Sequence, residues 1–198
     1  EHVEVLAPPP TARPRSKVAP ALLHPEIPSE RRFGFRIEDD NLGVGTPLDR
    51  FYRNIRAIQL LKKLEAEERL ALPTEQGVLS EYVGWGGLPQ FFEESNAHYG
   101  ELKAVLTDDE YASARASTLN AHFTTPIVIR AIYDAIANMG FVSGNILEPS
   151  CGVGNFFGCL PDSMSASKLY GVELDSISGR IAQQLYQTAH IKITGSET

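Results

Sequence analysis

Apolar residues recur with the period of an α-helix through the middle of the chain. The first such stretch predicts an amphipathic helix that ends near Arg69. Pro73-Thr-Glu-Gln76 begins a second helix, and Thr107-Asp-Asp-Glu110 is a capping box for another. The pattern therefore predicts a helical region of about four helices over residues 31–118. The apolar face of the first helix consists of Phe51, Ile55, Ile58, Leu61 and Leu64.

The pattern changes towards the end of the chain, where short apolar runs alternate with helical segments. Strands are predicted at Asn145–Glu148, Leu169–Leu174 and Ile191–Thr194, with a helix at Ser176–Leu185. Such alternation is typical of parallel strands joined by right-handed crossovers, which assigns the chain to the α/β class. Residues 119–198 are interpreted as the start of this α/β unit.

A further helix is predicted just before the first strand. Thr125 followed by Pro126 marks a helix start, because a threonine oxygen caps the first turn and proline needs no N–H partner there. Apolar pairs then recur at helical spacing, so we expect this helix to pack on the sheet. The pairs are Ile127 and Val128, Ala131 and Ile132, and Ala135 and Ile136.

Residues 1–30 are rich in proline and show no periodicity, which predicts an extended arm. The sequence has no apolar run of about eighteen residues and no signal-peptide pattern, so we expect a cytoplasmic protein without membrane contact. Its two cysteines, Cys151 and Cys159, are too few for a disulfide framework or a zinc site, and they fit a reducing compartment. The five histidines are scattered and suggest no metal site.

The charge balance argues against strong DNA binding by this chain alone. Lysine and arginine number 18 against 25 acidic residues, a net charge of −7, whereas nucleic-acid-binding domains usually carry a basic excess. A local basic stripe is the alternative, since Arg50, Arg53 and Arg56 fall three residues apart on a predicted helix, after Arg31, Arg32 and Arg36. A solvated helix face is the favoured interpretation.

The first predicted strand leads into a glycine-containing loop, Glu148-Pro-Ser-Cys-Gly-Val-Gly-Asn-Phe-Phe157. Glycine tolerates positive φ and lets a ligand approach the backbone. Glu148 stands at the strand's carboxyl end, where open α/β sheets bind ligands. The spacing fits neither a dinucleotide fingerprint nor a P-loop. Cys151 is interpreted as a small loop side chain rather than a nucleophile.

This loop resembles the first S-adenosylmethionine motif of N6-adenine DNA methyltransferases, Asp/Asn/Glu-Pro-x-x-Gly-x-Gly-x-Phe-Leu. Two further segments match that family. Lys168-Leu-Tyr-Gly-Val-Glu-Leu-Asp175 resembles its second strand, whose acid, here Glu173, is implied to bind both ribose hydroxyls. Ala121-His-Phe-Thr-Thr-Pro-Ile-Val-Ile129 resembles its Tyr/Phe-Thr-Pro motif, which lies against the cofactor.

The resemblance implies a partial Rossmann-like S-adenosylmethionine-dependent methyltransferase unit preceded by a helical layer, with S-adenosyl-L-methionine as cofactor. The implied cofactor-binding residues are Phe123, Thr124, Thr125, Glu148, Pro149, Ser150, Cys151, Gly152, Gly154, Asn155, Phe156, Glu173 and Leu174. No metal ligand is implied.

The acceptor half of such an enzyme is not found in the sequence. In this family an Asp/Asn-Pro-Pro-Tyr/Phe motif accepts hydrogen bonds from the adenine amine and stacks on the flipped base. No such motif occurs here, so no catalytic residue is assigned and we expect residues 119–198 to be the donor-binding half of a truncated domain. This chain alone is predicted to be inactive on DNA.

The helical region also carries a resemblance. Phe35-Arg-Ile-Glu-Asp-Asp-Asn-Leu-Gly43 and Tyr82-Val-Gly-Trp-Gly-Gly-Leu-Pro89 are similar to the segment that precedes the methylase motifs in large methylase–helicase proteins of bacterial plasmids, phages and integrative elements. Those proteins are longer, so the chain is interpreted as a fragment or a truncated relative. Trp85 is either a stacking platform for a base or, as we favour, a packing residue. Together with Phe51, Ile55 and Ile58, it is expected to cover one face of the sheet.

Three classes of function follow. The chain is the donor-binding portion of an N6-adenine DNA methyltransferase that contacts DNA through missing or partner segments. Alternatively, it is a non-catalytic cofactor-binding or interaction module that joins the downstream methylase or helicase part. A methyltransferase for a non-DNA acceptor is the third class, because donor motifs do not define the acceptor.

Overall fold

The structure is a computed structural model that describes residues 21–119 and 123–194. Most of the predicted proline-rich arm lies outside the described residues. Residues 120–122, which directly precede Phe-Thr-Thr-Pro, lie outside them as well. The described end of the arm runs into a 3₁₀ turn, Ser29–Arg31. The described residues form an α/β structure with a three-stranded parallel sheet, as the sequence predicts.

Four α-helices make up the described helical region, in agreement with the prediction. Two of them begin with capping boxes, in which Thr46 pairs with Asp49 and Thr107 with Glu110. The first helix ends at Ala66, just short of the predicted Arg69. The helices are α1 (Pro47–Ala66), α2 (Pro73–Leu79), α3 (Tyr99–Val105) and α4 (Asp108–Ser117), with a 3₁₀ turn at Pro89–Phe92.

The α/β unit follows the predicted order, and its strands fall within one residue of the predicted bounds. The strands lie in the order β1-β2-β3 and all pair in parallel, with Ile146 opposite Leu169 and Gly171 opposite Ile191. The elements are α5 (Pro126–Asn138), β1 (Asn145–Glu148), α6 (Asn155–Gly158), a 3₁₀ turn (Asp162–Met164), β2 (Lys168–Glu173), α7 (Ser176–Leu185) and β3 (His190–Ile193).

The helical region packs on the α/β unit through α7. The predicted apolar face of α1 is entirely buried, in one core with Ile177, Ile181 and Leu185 of α7. The expectation that α1 and Trp85 cover the sheet needs correction, because α7 contacts β2 and β3 while α1 and α2 lie against α7. The amphipathic helix that follows β2 therefore occupies the position next to the sheet.

Buried polar side chains fasten the two regions to each other. Gln184 accepts a hydrogen bond from the backbone N–H of Ala71 at 2.7 Å, and Gln187 donates to the Ala71 carbonyl at 2.8 Å. Gln187 also accepts from the backbone N–H of Phe33 at 2.8 Å. Arg32 donates to the carbonyl oxygen of Gln187 at 2.7 Å. Because buried polar groups are costly unless paired, these bonds specify one arrangement of the two regions.

Two ion pairs add to this attachment at α4. The buried carboxylate of Glu110 accepts from Lys62 of α1 at 2.7 Å and from Arg180 of α7. Burial raises the pKa of Glu110, but the hydrogen bonds from Lys62, Thr107 and Arg180 outweigh it and lower the pKa. The ionised carboxylate therefore joins α1, α4 and α7.

The sheet has one packed face and one uncovered face. Alternate strand residues point to opposite sides, so the residues divide into two sets. No layer of described residues packs over the set that contains Leu147, whose side chain is 62% exposed. The inner face is Ile146, Glu148, Leu169, Gly171, Glu173, Ile191 and Ile193. The outer face is Asn145, Leu147, Lys168, Tyr170, Val172, His190 and Lys192.

The orientation of α5 differs from the prediction. Its buried side chains are Pro126, Ile129 and Tyr133, whereas Ile127 is 64% and Val128 48% exposed. Of the predicted apolar pairs, Ile136 packs in the same cluster as Ile129 and Tyr133, whereas Ile127, Val128 and Ile132 do not belong to the packed face. Thr125 occupies the N-cap position, but its side chain makes no capping hydrogen bond, so the predicted threonine cap is also wrong.

Candidate functional site

The loop after β1 is held tightly between the sheet and α7. The Cys151 N–H donates to the Val172 carbonyl at 3.0 Å, and the Gly154 N–H donates to the Cys151 carbonyl at 2.8 Å. Gly152 and Gly154 have φ of 55° and 87°, which other residues rarely adopt. The ring of Tyr186 fills the space that a Cβ at Gly154 or Gly158 would need. The glycines of the motif thus serve both loop conformation and close packing.

Glu173 stands at the carboxyl end of β2 and is fixed by the backbone around it. Its carboxylate accepts from the N–H of Gly152 at 2.6 Å, of Leu174 at 2.9 Å and of Asp175 at 2.8 Å. A carboxylate held by three N–H groups keeps its position without a ligand. The resemblance singled out this acid, and the structure places it beside the glycine loop.

The other two titratable groups of the motif, Glu148 and Cys151, both have raised pKa values. Burial raises the pKa of Glu148, against a hydrogen bond from the backbone of Ser150. Burial, and then the charges of Glu173 and Glu148, raise the pKa of the Cys151 thiol to about 12. That thiol stays protonated at neutral pH, and a thiol is a far weaker nucleophile than a thiolate. The environment of Cys151 fits a packing role.

A cavity of about 440 Å³ opens where the sheet, the glycine loop and the helical region meet. We call it the strand-end cavity. Its volume lies within the range of small-molecule sites, roughly 300–1,000 Å³. Its lining residues are Tyr82, Gly84, Ser113, Ala116, Ser117, Phe123, Ser150, Gly152, Glu173, Leu174, Asp175 and Ser178.

More than half of this lining was not predicted from the motifs. Ser113, Ala116 and Ser117 come from α4, and the Ser113 hydroxyl donates to Asp175 at 3.1 Å. These small residues are spaced by three and four, so they share one face of a helix. That stripe was a signal for close approach of α4. Tyr82 and Gly84 belong to the segment that the helical resemblance had singled out.

A second cavity of about 160 Å³ lies on the other side of Phe123. We call it the Arg50 cavity. Phe123 and Tyr82 line both cavities. A Cβ at Gly152 would lie 2.9 Å from the Phe123 ring and one at Gly84 3.4 Å from it, so the ring sits between two glycines. The lining of the Arg50 cavity is Leu42, Gly43, Arg50, Ser80, Tyr82, Val83, Phe123, Thr124, Thr125, Pro126 and Asn155.

The predicted cofactor residues are divided among several environments. Phe123, Ser150, Gly152, Glu173 and Leu174 line the strand-end cavity. Thr124, Thr125 and Asn155 line the Arg50 cavity instead. The remaining five line neither of these two cavities: Glu148, Pro149, Cys151, Gly154 and Phe156.

Trp85 has the packing role that we favoured. It is 1% exposed and meets the ring of Phe92 edge-on at 5.4 Å. Gly84 and Gly87, on either side, have positive φ. The indole Nε1 has no hydrogen-bond partner among the described residues. The tryptophan is thus a core side chain rather than an exposed stacking platform.

The arginines do not form a continuous basic stripe. Arg32 is buried against backbone carbonyls, and Arg36 pairs with Asp162 at 2.8 Å. Arg53 donates to the Val44 carbonyl and Arg56 pairs with Glu81. Of these four arginines, Arg36 and Arg56 pair with carboxylates, and Arg32 and Arg53 bond to backbone carbonyls, so each is held in a separate internal contact.

Within residues 21–119 and 123–194, no three histidine, cysteine or acidic side chains come together as a metal site. The helices in those ranges are all too short or too polar to cross a bilayer. Comparison of the chain with protein-family models, with curated proteins and with solved structures finds no match in any of the three. The functional interpretation of the two cavities rests on their geometry and on the sequence motifs.

Proposed function

We propose that the strand-end cavity binds S-adenosyl-L-methionine, as the donor site of a methyltransferase of the N6-adenine DNA type. The observation that carries the proposal is the position of Glu173, fixed at the end of β2 beside Gly152. A preorganised acceptor binds hydroxyl groups without an ordering cost. The acidic pair Glu173 and Asp175 also suits the positive sulfonium of the donor.

The hydrogen bonds of Glu173 refine how it would hold the ribose. A carboxylate offers about four acceptor positions, and backbone N–H groups fill three of them. One ribose hydroxyl therefore bonds to Glu173 directly, while the second competes with the N–H of Gly152. That N–H is then released towards the ligand, on the loop whose glycines allow close approach.

The arrangement of the elements supports a Rossmann-like interpretation of the α/β unit. Open parallel sheets bind ligands outside the carboxyl ends of their strands, which is where the strand-end cavity lies. The sequence offers no Asn/Asp-Pro-Pro-Tyr/Phe motif, so adenine methylation requires that motif from a further segment or from a partner. The outer face and the free edge of β1 are the surfaces on which such a segment or partner would pack.

A non-catalytic donor-binding or interaction module is the second candidate. The net charge of −7 and the engagement of Arg32, Arg36, Arg53 and Arg56 in internal bonds favour it. Such a module would bind the donor without contacting DNA. Both candidates share the donor site, so the donor is the first thing to test.

Titration of S-adenosylhomocysteine into the pure chain by calorimetry tests the donor site. We expect the wild type to bind and Glu173→Ala to weaken binding by roughly 1.5–3 kcal/mol, about ten- to a hundredfold, as for hydrogen bonds to a charged group. Glu94→Ala is the matched control, since Glu94 is exposed and lines neither cavity.

Thermal unfolding of both variants separates binding from stability, because Glu173→Ala also leaves three N–H groups without their acceptor. Equal affinity of wild type and Glu173→Ala would remove the ribose assignment. Absence of binding by the folded wild type would contradict the donor site itself.

A further inference from the structure

The two cavities on either side of Phe123 have opposite charge. Glu173 and Asp175 line the strand-end cavity, which has no basic residue in its lining. Arg50 lines the second cavity, where no acidic residue occurs. Thr124, Thr125 and Asn155 can donate further hydrogen bonds into the cavity, whereas the Ser80 hydroxyl already donates to the Gly77 carbonyl at 2.8 Å. A guanidinium flanked by hydroxyl and amide donors suits the binding of an anionic oxygen group.

The guanidinium of Arg50 is held in place but is not neutralised. It donates to the Gly86 carbonyl at 2.7 Å and has no acidic partner among the described residues. One turn along α1, the buried Asn54 accepts from the Val83 N–H at 2.9 Å and donates to the Gly84 carbonyl at 2.6 Å. Helix and loop are therefore fixed to each other. Most of the five N–H groups of the guanidinium remain for a ligand.

We propose that the Arg50 cavity is an oxyanion site that takes a carboxylate or phosphate group. The inference rests on the proposed function, because the shared wall of Phe123 and Tyr82 makes this cavity the neighbour of the donor site. Two sources present that chemistry: the α-carboxylate of the donor's amino-acid end, or a phosphate of another ligand. At about 160 Å³ the cavity has room for one such group but not for a nucleoside.

Arg50→Gln is the variant that tests this site. Glutamine keeps a donor for the Gly86 carbonyl and removes the charge. Arg53→Gln is its matched control, because Arg53 lies on the same helix, also donates one bond to a loop carbonyl (Val44, 2.8 Å) and lines neither cavity. Thermal unfolding of both variants checks that the fold is kept.

Three probes distinguish the source of the anion. S-adenosylhomocysteine carries the α-carboxylate, and 5′-methylthioadenosine has the nucleoside without the amino-acid end. Inorganic phosphate supplies an anion without a nucleoside. If the donor supplies the anion, Arg50→Gln weakens S-adenosylhomocysteine binding about ten- to a hundredfold and leaves 5′-methylthioadenosine within twofold. If phosphate is the source, Arg50→Gln abolishes phosphate binding and spares S-adenosylhomocysteine. Arg53→Gln changes none of the three.

The oxyanion site is overturned if folded Arg50→Gln binds all three probes as the wild type does, or if the wild type binds neither phosphate nor the carboxylate-bearing ligand. The failure of the proposed function looks different. In that case the wild type binds neither S-adenosylhomocysteine nor 5′-methylthioadenosine. The phosphate titration then tests the oxyanion site by itself. Loss of S-adenosylhomocysteine binding in Glu173→Ala but not in Arg50→Gln, with no phosphate binding, would keep the donor site and remove the oxyanion site.

Discussion

The two faces of the sheet are made from the same three strands but have different surroundings. Ile191 on the inner face is 2% exposed beneath α7, whereas Leu147 on the outer face is 62% exposed. Parallel sheets in proteins are almost always covered on both faces. The inner face is covered by α7, and the strand-end cavity lies at the carboxyl end of β2. The outer face, with the free edge of β1, has the character of a surface that another layer covers.

Helix α5 also has an exposed apolar side. The helix is apolar around most of its circumference, and Ile127, Val128 and Ile132 are exposed. Its buried residues Ile129 and Tyr133 pack near Ile146 at the edge strand. The exposed apolar side of α5 is thus a second uncovered apolar surface among the described residues, besides the outer face of the sheet.

The largest expected effect comes from removing the helical region. In a polypeptide of residues 119–198, the side of α7 that packs against α1 and α2 would be exposed, in addition to the outer face of the sheet. Three strands also bury too little surface to fold alone. We expect it to be unfolded or aggregated, while residues 31–198 unfold in a single transition. Circular dichroism during heating measures both. A cooperative melt of residues 119–198 would show that the two regions are independent domains.

A pair of alanine substitutions compares the faces directly. Ile191→Ala removes a buried inner-face side chain and should lower the free energy of unfolding by about 2–5 kcal/mol. Leu147→Ala, on the exposed outer face, should change it by no more than about 0.5 kcal/mol. Urea denaturation of the two variants supplies the values. A large loss in Leu147→Ala would mean that the outer face is covered in solution.

The smallest effect concerns the pH dependence of an ion pair between Arg69, just after α1, and Glu75 in α2. Arg69 forms two 2.7 Å bonds with Glu75, and these, with the Leu72 N–H, lower the pKa of Glu75 from 4.5 to about 2 despite some desolvation. As the pH falls, Glu75 of the unfolded chain becomes protonated near pH 4.5, whereas Glu75 of the folded chain stays ionised until about pH 2. The ion pair therefore stabilises the fold fully above pH 4.5, and this stabilisation is lost as the pH falls towards 2.

Glu75→Gln is the variant that isolates this pair. It should be about 1 kcal/mol less stable than the wild type at pH 6, and the gap should narrow below pH 4.5 and close only near pH 2. Urea midpoints at several pH values check this. A gap that stays constant down to pH 3 would contradict the assignment.

Much of the fold could be predicted because its signals are local. Capping residues such as Thr107 and Glu110, and the apolar period of α1, act within one helix. The side on which α5 packs could not be predicted, because apolar residues occur on two sides of it and period alone does not choose Ile129 over Val128. For the site, the motif indicated Glu173 and Gly152. For α4, the stripe of small residues signals a close approach but does not say which part of the molecule the helix approaches, because that depends on tertiary packing.

The clamp between Arg32, Phe33 and Gln187 has a consequence for synthesis of the protein. These bonds join residues more than 150 positions apart in the chain, and the Phe35 N–H donates to the Leu185 carbonyl in the same place. Contacts of such long range slow folding, since a large loop must close before they form. The helices can form as they leave the ribosome, but the clamp cannot close until Gln187 has emerged. The contact that fastens the first part of the chain to the α/β unit therefore forms only after nearly all of this sequence has been translated.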